Sequence, residues 1–466
     1  MRKFNFFDKS DSLNRDVKTI EVVASSLFAD WLDSQTNDTQ AWVKAMNFTA
    51  ESGTCLLVPG KESGLGKVVW GMQVGDDPWK FASIRKVIPE GYYQIDASAL
   101  KESYPWHTMF LAWGLAGYQF SRYKLGKNLG QYLLMPESSA VNNELLISEL
   151  QATYLVRDLV NTPAEDCHPD FIESVVKDIA RNYQAECWCL TGKQLIDKGY
   201  PLVHAVGRAS VHEPKVLGFQ WGNQTHPRLV LVGKGVCFDS GGLQIKPHQS
   251  MATMKKDMGG AAHMLALAQM IMQHKVPVRL ELLIAAVENS VAGNAFRPGD
   301  VFFARNGVSV EIGHTDAEGR LLLADLLSKA TESPSDLIID YATLTGAQRV
   351  ALGPEIPAIF TDNQAESGRV LEHSQKVFDP LWPLPLYAGY VSTLNSNVAD
   401  ISSTGSMPLG GAITAALFLK RFTKPEVLWM HIDGGAYNLT SRPGRPKGGE
   451  AMGIRALFSY LQSRYA

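Results

Sequence analysis

The sequence predicts an α/β protein in which a larger C-terminal part builds a mixed or parallel sheet flanked by helices, preceded by a smaller N-terminal α/β domain. Three observations predict this. Through the second half, apolar runs of strand length alternate with runs at helical spacing. At 466 residues the chain is longer than one ordinary core organises. Apolar residues make up 45% and charged residues 20%, the balance of a folded globular chain.

In chain order, residues 1–140 form the N-terminal domain. Short alternating runs (KVVWGMQV, GYYQIDAS) read as strands and HTMFLAWGLAGYQF as an amphipathic stretch, with no cluster of candidate catalytic residues. Residues 141–161 form a linking helix. ELLISELQATYLVRDLV repeats apolar residues at helical spacing and stops at Asn161-Thr162-Pro163. In 162–466, RLVLVG predicts a strand, GGAAHMLALAQMIMQ a helix and RLELLIAAV a strand. RLLLADLLSKAT then predicts a helix, and DLIIDYATLTG and VLWMHID predict strands. Functional loops of such sheets gather at the carboxyl ends of the strands.

Bulk properties exclude several classes. A net charge of -3 gives little electrostatic affinity for nucleic acid. The amino terminus MRKFNFFDKSDSLNR carries positive charge without a following apolar run, so it does not read as a secretion leader. No run of about 18 apolar residues predicts a membrane span. The five cysteines are Cys55, Cys167, Cys187, Cys189 and Cys237; they are odd in number, irregularly spaced and include no CxxC pair. That suits a reducing compartment and places the chain in the cytoplasm. Cys187 and Cys189 flank Trp188 on a predicted strand and are expected to be buried together.

Chemistry concentrates in three segments at strand ends: LVGKGVCFDSGGLQIKP, with Lys234, Asp239 and Lys246; MKKDMGGAA, with Asp257; and HTDAEGRLLL, with Asp316, Glu318 and Arg320. A phosphate loop is excluded because GxxxxGK[ST] is missing and the lysine precedes the glycine pair. Any one of these acids alone reads as a helix cap. Four of them converging from separate loops would raise one another's pKa unless cations intervene, and divalent metals resolve that conflict. HExxH is missing and the eleven histidines lack ligand spacing, so oxygen-rich ligation by a pair of Mn, Zn or Mg ions is the expectation.

VGKGVCFDSGGLQIKP, MKKDMGGAA, HTDAEGRL, DYATLTGA, RDLVNTP and GGAITAALFLKRF together resemble the leucyl aminopeptidases, cytosolic di-metal exopeptidases with a zinc-exopeptidase-like sheet. The resemblance covers the second domain and is faint in the first. It implies that Asp239 and Glu318 bridge two metals, that Asp316 completes one site, and that Lys234 and Asp257 complete the other. It further implies that Lys246 polarises the scissile carbonyl, and that Arg320 holds a bicarbonate taking a proton from the attacking water. Met254, Thr343 and Gly346 would line the pocket for the first side chain, with Ala342 and Leu344 left to the core. The implied reaction is removal of the N-terminal residue of peptides by a bridging hydroxide, in a homohexamer. Lys234 could bind a metal only as the neutral amine, which costs roughly 5 kcal/mol at pH 7. Three departures stand out: His314 replaces the family's Asn, Cys237 replaces Thr, and WMHIDGGAYN replaces WxHLDIAG. The alternative is an aminopeptidase-like oligomer with a nucleic-acid-binding role. A carboxylate-metal phosphatase is the third reading, and it leaves the two lysines unexplained.

Overall fold

The computed structural model describes residues 7–8, 16–60, 64–96, 104–126, 129–136 and 139–466. Residues 1–6 and 9–15, read above for a leader, and Ala97–Ser98 at the end of GYYQIDAS lie outside these. The chain divides into two compact units, Met1–Gln151 with Thr440–Lys447, and Ala152–Leu439 with Gly448–Ala466.

The first unit holds a sheet of Phe7–Asp8 (β1), Val17–Val23 (β2), Cys55–Pro59 (β3), Leu65–Gly71 (β4), Gly91–Ile95 (β5) and Gln131–Leu134 (β6), in the order β1-β6-β5-β2-β4-β3. Only β3 runs antiparallel to its neighbour. The helix Trp106–Ala116, expected to be amphipathic, is buried on nearly every side. Its sequence carries no charged residue, so no face favours water.

The second unit is built on eight strands: Glu186–Thr191 (β7), Lys215–Trp221 (β8), Arg228–Asp239 (β9), Arg279–Asn289 (β10), Leu337–Ala342 (β11), Ala358–Phe360 (β12), Trp382–Pro383 (β13) and Trp429–Asp433 (β14). Their order is β13-β12-β14-β11-β9-β10-β8-β7, with β10, β9, β11 and β14 mutually parallel. These four strands are almost wholly buried, which explains their unbroken apolar runs. The helices Gly259–Gln273 and Glu318–Ala330 coincide with the two helical runs of the sequence. Cys187 and Cys189 are only half-buried, contrary to expectation, because β7 is the edge strand.

His263 lies fully buried on the 259–273 helix. Its Nδ1 donates to the Gly259 carbonyl at 2.6 Å, and its Nε2 accepts from the Met452 N–H at 2.9 Å, so the neutral ring is the one the fold fits. Burial pulls its pKa from 6.5 down to about 4. Between those values the unfolded chain binds the extra proton, so the stability is present above pH 6.5 and lost as pH falls toward 4. The loss is about 3 kcal/mol in total. His263→Gln is expected to flatten the stability-versus-pH slope in that window by up to about 1.4 kcal/mol per pH unit in urea titrations. An unchanged slope would contradict this.

Candidate active site

Lys234 lies within β9 and Asp239 closes it. Five positions apart, they would point to opposite faces of a regular strand. The β9–β10 register slips by one residue: Val287 pairs Val236, but Glu288 pairs Phe238. Cys237 is therefore the extra residue of a β-bulge, and it turns Asp239 to the same face as Lys234. Asp257 comes from the short 3-10 turn Met254–Met258 that leads into the 259–273 helix. Glu318 is the first residue of the 318–330 helix, and Asp316 lies two residues ahead of it. Two glycines allow the close packing. A Cβ on Gly260 would fall 2.1 Å from the Tyr341 carbonyl oxygen, and one on Gly319 would fall 2.6 Å from Lys234 Cε.

These loops meet in one cavity of about 270 Å³, lined by all ten residues singled out from sequence: Lys234, Asp239, Lys246, Met254, Asp257, Asp316, Glu318, Arg320, Thr343 and Gly346. Lys234 Nζ lies 2.8 Å from Asp257 and 3.0 Å from Glu318, while Lys246 Nζ lies 2.7 Å from Asp239 and also contacts Asp316. Asp239 Oδ1 accepts from the Gly241 N–H and from Asn289 Nδ2, each at 2.9 Å.

The electrostatics record crowding. Burial, with the neighbouring Asp257, raises the pKa of Asp239 despite Lys246 and Lys234. Burial, with Asp239, raises that of Glu318. Burial also raises that of Asp257, but Lys234 and Lys256 outweigh it and hold this carboxyl below its ordinary range. Burial lowers Lys234, yet Asp257, Glu318 and Asp239 together hold it above an ordinary lysine. Arg320 is pulled down to about 10 by burial.

The donor set fits a pair of divalent cations. Oxygens of Asp239, Asp316 and Glu318 lie within 4.8 Å of one another. Asp257 Oδ2 and Asp316 Oδ1 are buried without a hydrogen bond. Each faces a lysine ammonium, Lys234 and Lys246 respectively, so both oxygens stand where a cation could take over the charge the lysine now compensates. Arg320 donates from Nη1 to the Ser403 carbonyl at 2.7 Å, while its Nε is buried without a partner.

Residues 154–458 match the cytosol aminopeptidase family, catalytic domain, and residues 19–136 match the M17 aminopeptidase N-terminal domain. The chain belongs to the cytosol aminopeptidase family. A "probable cytosol aminopeptidase" of Chlamydia trachomatis serovar D is 40% identical to this family member over 323 residues, covering 68% of this chain and 64% of that relative. The match thus spans less than two thirds of the relative's length. The crystal structure of a cytosol aminopeptidase from Coxiella burnetii is 42% identical, with a TM-score of 0.94 and 99% of each chain covered. The bottromycin maturation enzyme BotP, solved in complex with Mn, is 30% identical, with a TM-score of 0.84, covering 97% of this chain and 100% of BotP. Among the described residues, no helix of this family member is long and apolar enough to cross a membrane.

Several features of this cytosol aminopeptidase family member were not read from sequence. Thr343 donates its hydroxyl to Asp257 Oδ1 at 2.7 Å, so it aims a carboxylate as well as lining the cavity. Asp433, at the end of β14, accepts from the N–H groups of Leu344 and Thr345 and from the Thr345 hydroxyl. It thereby shapes the loop on which Gly346 sits; an acid at the end of an apolar strand was the available signal. Ala342 is core as expected, but Leu344 is half-buried and also faces the cavity. His314 Nδ1 accepts from the Asp316 N–H at 3.1 Å, so the substituted residue can still brace that loop. A second group, His168, Asp170 and His212, was not legible from spacing because His212 is distant in sequence from the other two. Its rings stack at 4.3 Å and Lys215 already pairs with Asp170 at 2.9 Å, which accounts for it without an ion.

Proposed function

We propose that this chain is a metal-dependent aminopeptidase that hydrolyses the first peptide bond of substrates with a free N-terminus. One observation carries the reading: four carboxylates and two lysines from β9, the loop after it, the 254–258 turn and the start of the 318–330 helix line a single cavity. Asp239 and Glu318 would bridge two divalent ions (Mn, Zn or Mg), Asp316 would complete one site, and Lys234 with Asp257 the other. Such a pair, when bound, supplies Lewis-acid polarisation of the carbonyl and activation of water.

The chain's own groups do the rest. The Lys246 ammonium, 2.7 Å from Asp239, would steady the charge that develops on the scissile carbonyl oxygen. Arg320, with a buried and unpartnered Nε, would hold a small anion such as bicarbonate that accepts the proton lost by the attacking water. Met254, Thr343 and Gly346 would wall the first side chain. Capture of the free amine among these carboxylates confines action to chain ends.

The resemblance also supports a homohexamer in the cytoplasm, and a sedimentation mass equal to one chain would refute the hexamer. The activity itself is tested with a leucine anilide. Hydrolysis should disappear on chelation and return with Mn or Zn, while a phosphate ester stays intact. Failure on every aminoacyl anilide with the metal restored, together with tight nucleic-acid binding, would favour the binding-protein alternative.

A further inference from the structure

Two cations of the cavity have no part in the reading above. Lys256 is buried, with its side chain 8% exposed, and its one ion-pair contact is Asp257 Oδ1 at 3.8 Å. That oxygen already accepts the Thr343 hydroxyl at 2.7 Å. Among the described residues the Lys256 ammonium makes no hydrogen bond, yet it lines the cavity beside Met254. Arg349, an exposed residue in the last turn of the helix Gly346–Leu352, has no side-chain hydrogen bond or ion pair among the described residues. Its guanidinium lies over the same cavity: Nη2 is 3.9 Å from where a Cβ on Gly346 would stand, and Cδ is 3.8 Å from one on Gly435. Gly434 and Gly435, where the WMHIDGGAYN segment departs from the family, also line this cavity.

A buried ammonium without a hydrogen-bond acceptor is costly unless something else supplies one. The cavity's four carboxylates, Asp239, Asp257, Asp316 and Glu318, face five cations once Lys256 and Arg349 are counted with Lys234, Lys246 and Arg320. Two divalent ions would add positive charge that no remaining side chain of the cavity offsets. The anion assigned to Arg320 serves that residue, and a carboxylate carried by the substrate would supply the acceptor that Lys256 lacks.

We infer that Lys256 and Arg349 select a carboxylate in the first side chain, so that peptides beginning with glutamate are preferred over their uncharged isosteres. This rests on the aminopeptidase reading. It changes the preference expected from Met254 alone, since a thioether wall meets the chain's methylenes while the cations take its end. Charge-assisted bonds to a carboxylate that glutamine cannot replace should separate the two substrates by at least about tenfold.

The test compares glutamyl, glutaminyl and leucyl anilides on the metal-loaded enzyme, and on Lys256→Met, Lys256→Arg and Arg349→Met. The expected result is a glutamyl-to-glutaminyl ratio of kcat/KM of about ten or more, collapsing toward one in Lys256→Met and largely restored in Lys256→Arg. Because the ratio is internal to each variant, a general loss of activity does not mimic it. A wild-type ratio near or below one, or a ratio unchanged in Lys256→Met, overturns the inference while leaving the aminopeptidase reading standing. Inactivity toward every anilide overturns that reading instead. If the cations served the far side of the scissile bond, dipeptides would be preferred over their C-terminal amides with no glutamyl preference, and the first-side-chain assignment falls.

Discussion

Replacing Glu318 with glutamine is expected to lower kcat/KM for a leucine anilide by at least about 10³-fold, the loss that follows from removing several kcal/mol of cation-borne charge stabilisation. The side chain keeps its shape but loses the charge that, with Asp239, would bridge two ions. Stability of the metal-free protein should change by no more than about 1 kcal/mol, because glutamine removes a carboxylate whose burial is itself unfavourable. Activity and stability therefore separate in this variant. Steady-state kinetics with excess Mn or Zn, beside urea denaturation of the metal-free chain, would reveal it. Near-normal turnover would show that Glu318 is only the first residue of a helix.

The second large effect lies away from the cavity. Arg157 is fully buried and grips Glu450 through Nε and Nη2 at 3.0–3.2 Å. Asn438 donates to the same carboxylate at 2.6 Å. Removing one partner strands the other charge in the interior, so Glu450→Ala should cost about 3–5 kcal/mol in urea denaturation. Arg157→Met combined with Glu450→Met should recover part of that loss, since a buried pair replaced by apolar groups is far less costly than a broken one. A double variant no more stable than the single one would contradict this account.

That ion pair gives a role to a segment that spacing showed only as a helix end. RDLVNTP contributes Arg157 to Glu450, and Asn161 Oδ1 accepts from the Gly449 N–H while its carbonyl accepts from Lys255. Nothing local in the segment says so, because its partners lie 94 to 293 positions away in sequence. The strands β9, β10, β11 and β14 were legible because parallel strands buried on both faces leave unbroken apolar runs. The place of Asp239 was legible because it closes an apolar strand, where α/β sheets put their functional loops, while the gathering of Asp257, Asp316 and Glu318 beside it was legible through the resemblance. The bulge at Cys237 was hidden, because a single inserted residue leaves no mark in an apolar run. Lys256 and Arg349 were hidden too: a lysine among helix-turn residues and an arginine in a short helix look like surface charges until the backbone brings them over one cavity. The half-exposed Cys187 and Cys189 depended on which strand ends the sheet, and apolar patterning does not reveal that.

Metal titration of the purified, chelator-stripped protein bears most directly on the whole account. Calorimetry with Mn or Zn, paired with elemental analysis, should find two ions per chain and a release of protons on binding, because ligands such as Lys234 must lose theirs to bind. In Glu318→Gln both ions should be weakened. Binding of no ion, or stoichiometry unaffected by Glu318→Gln, would mean that these carboxylates gather for some reason other than holding a pair of cations.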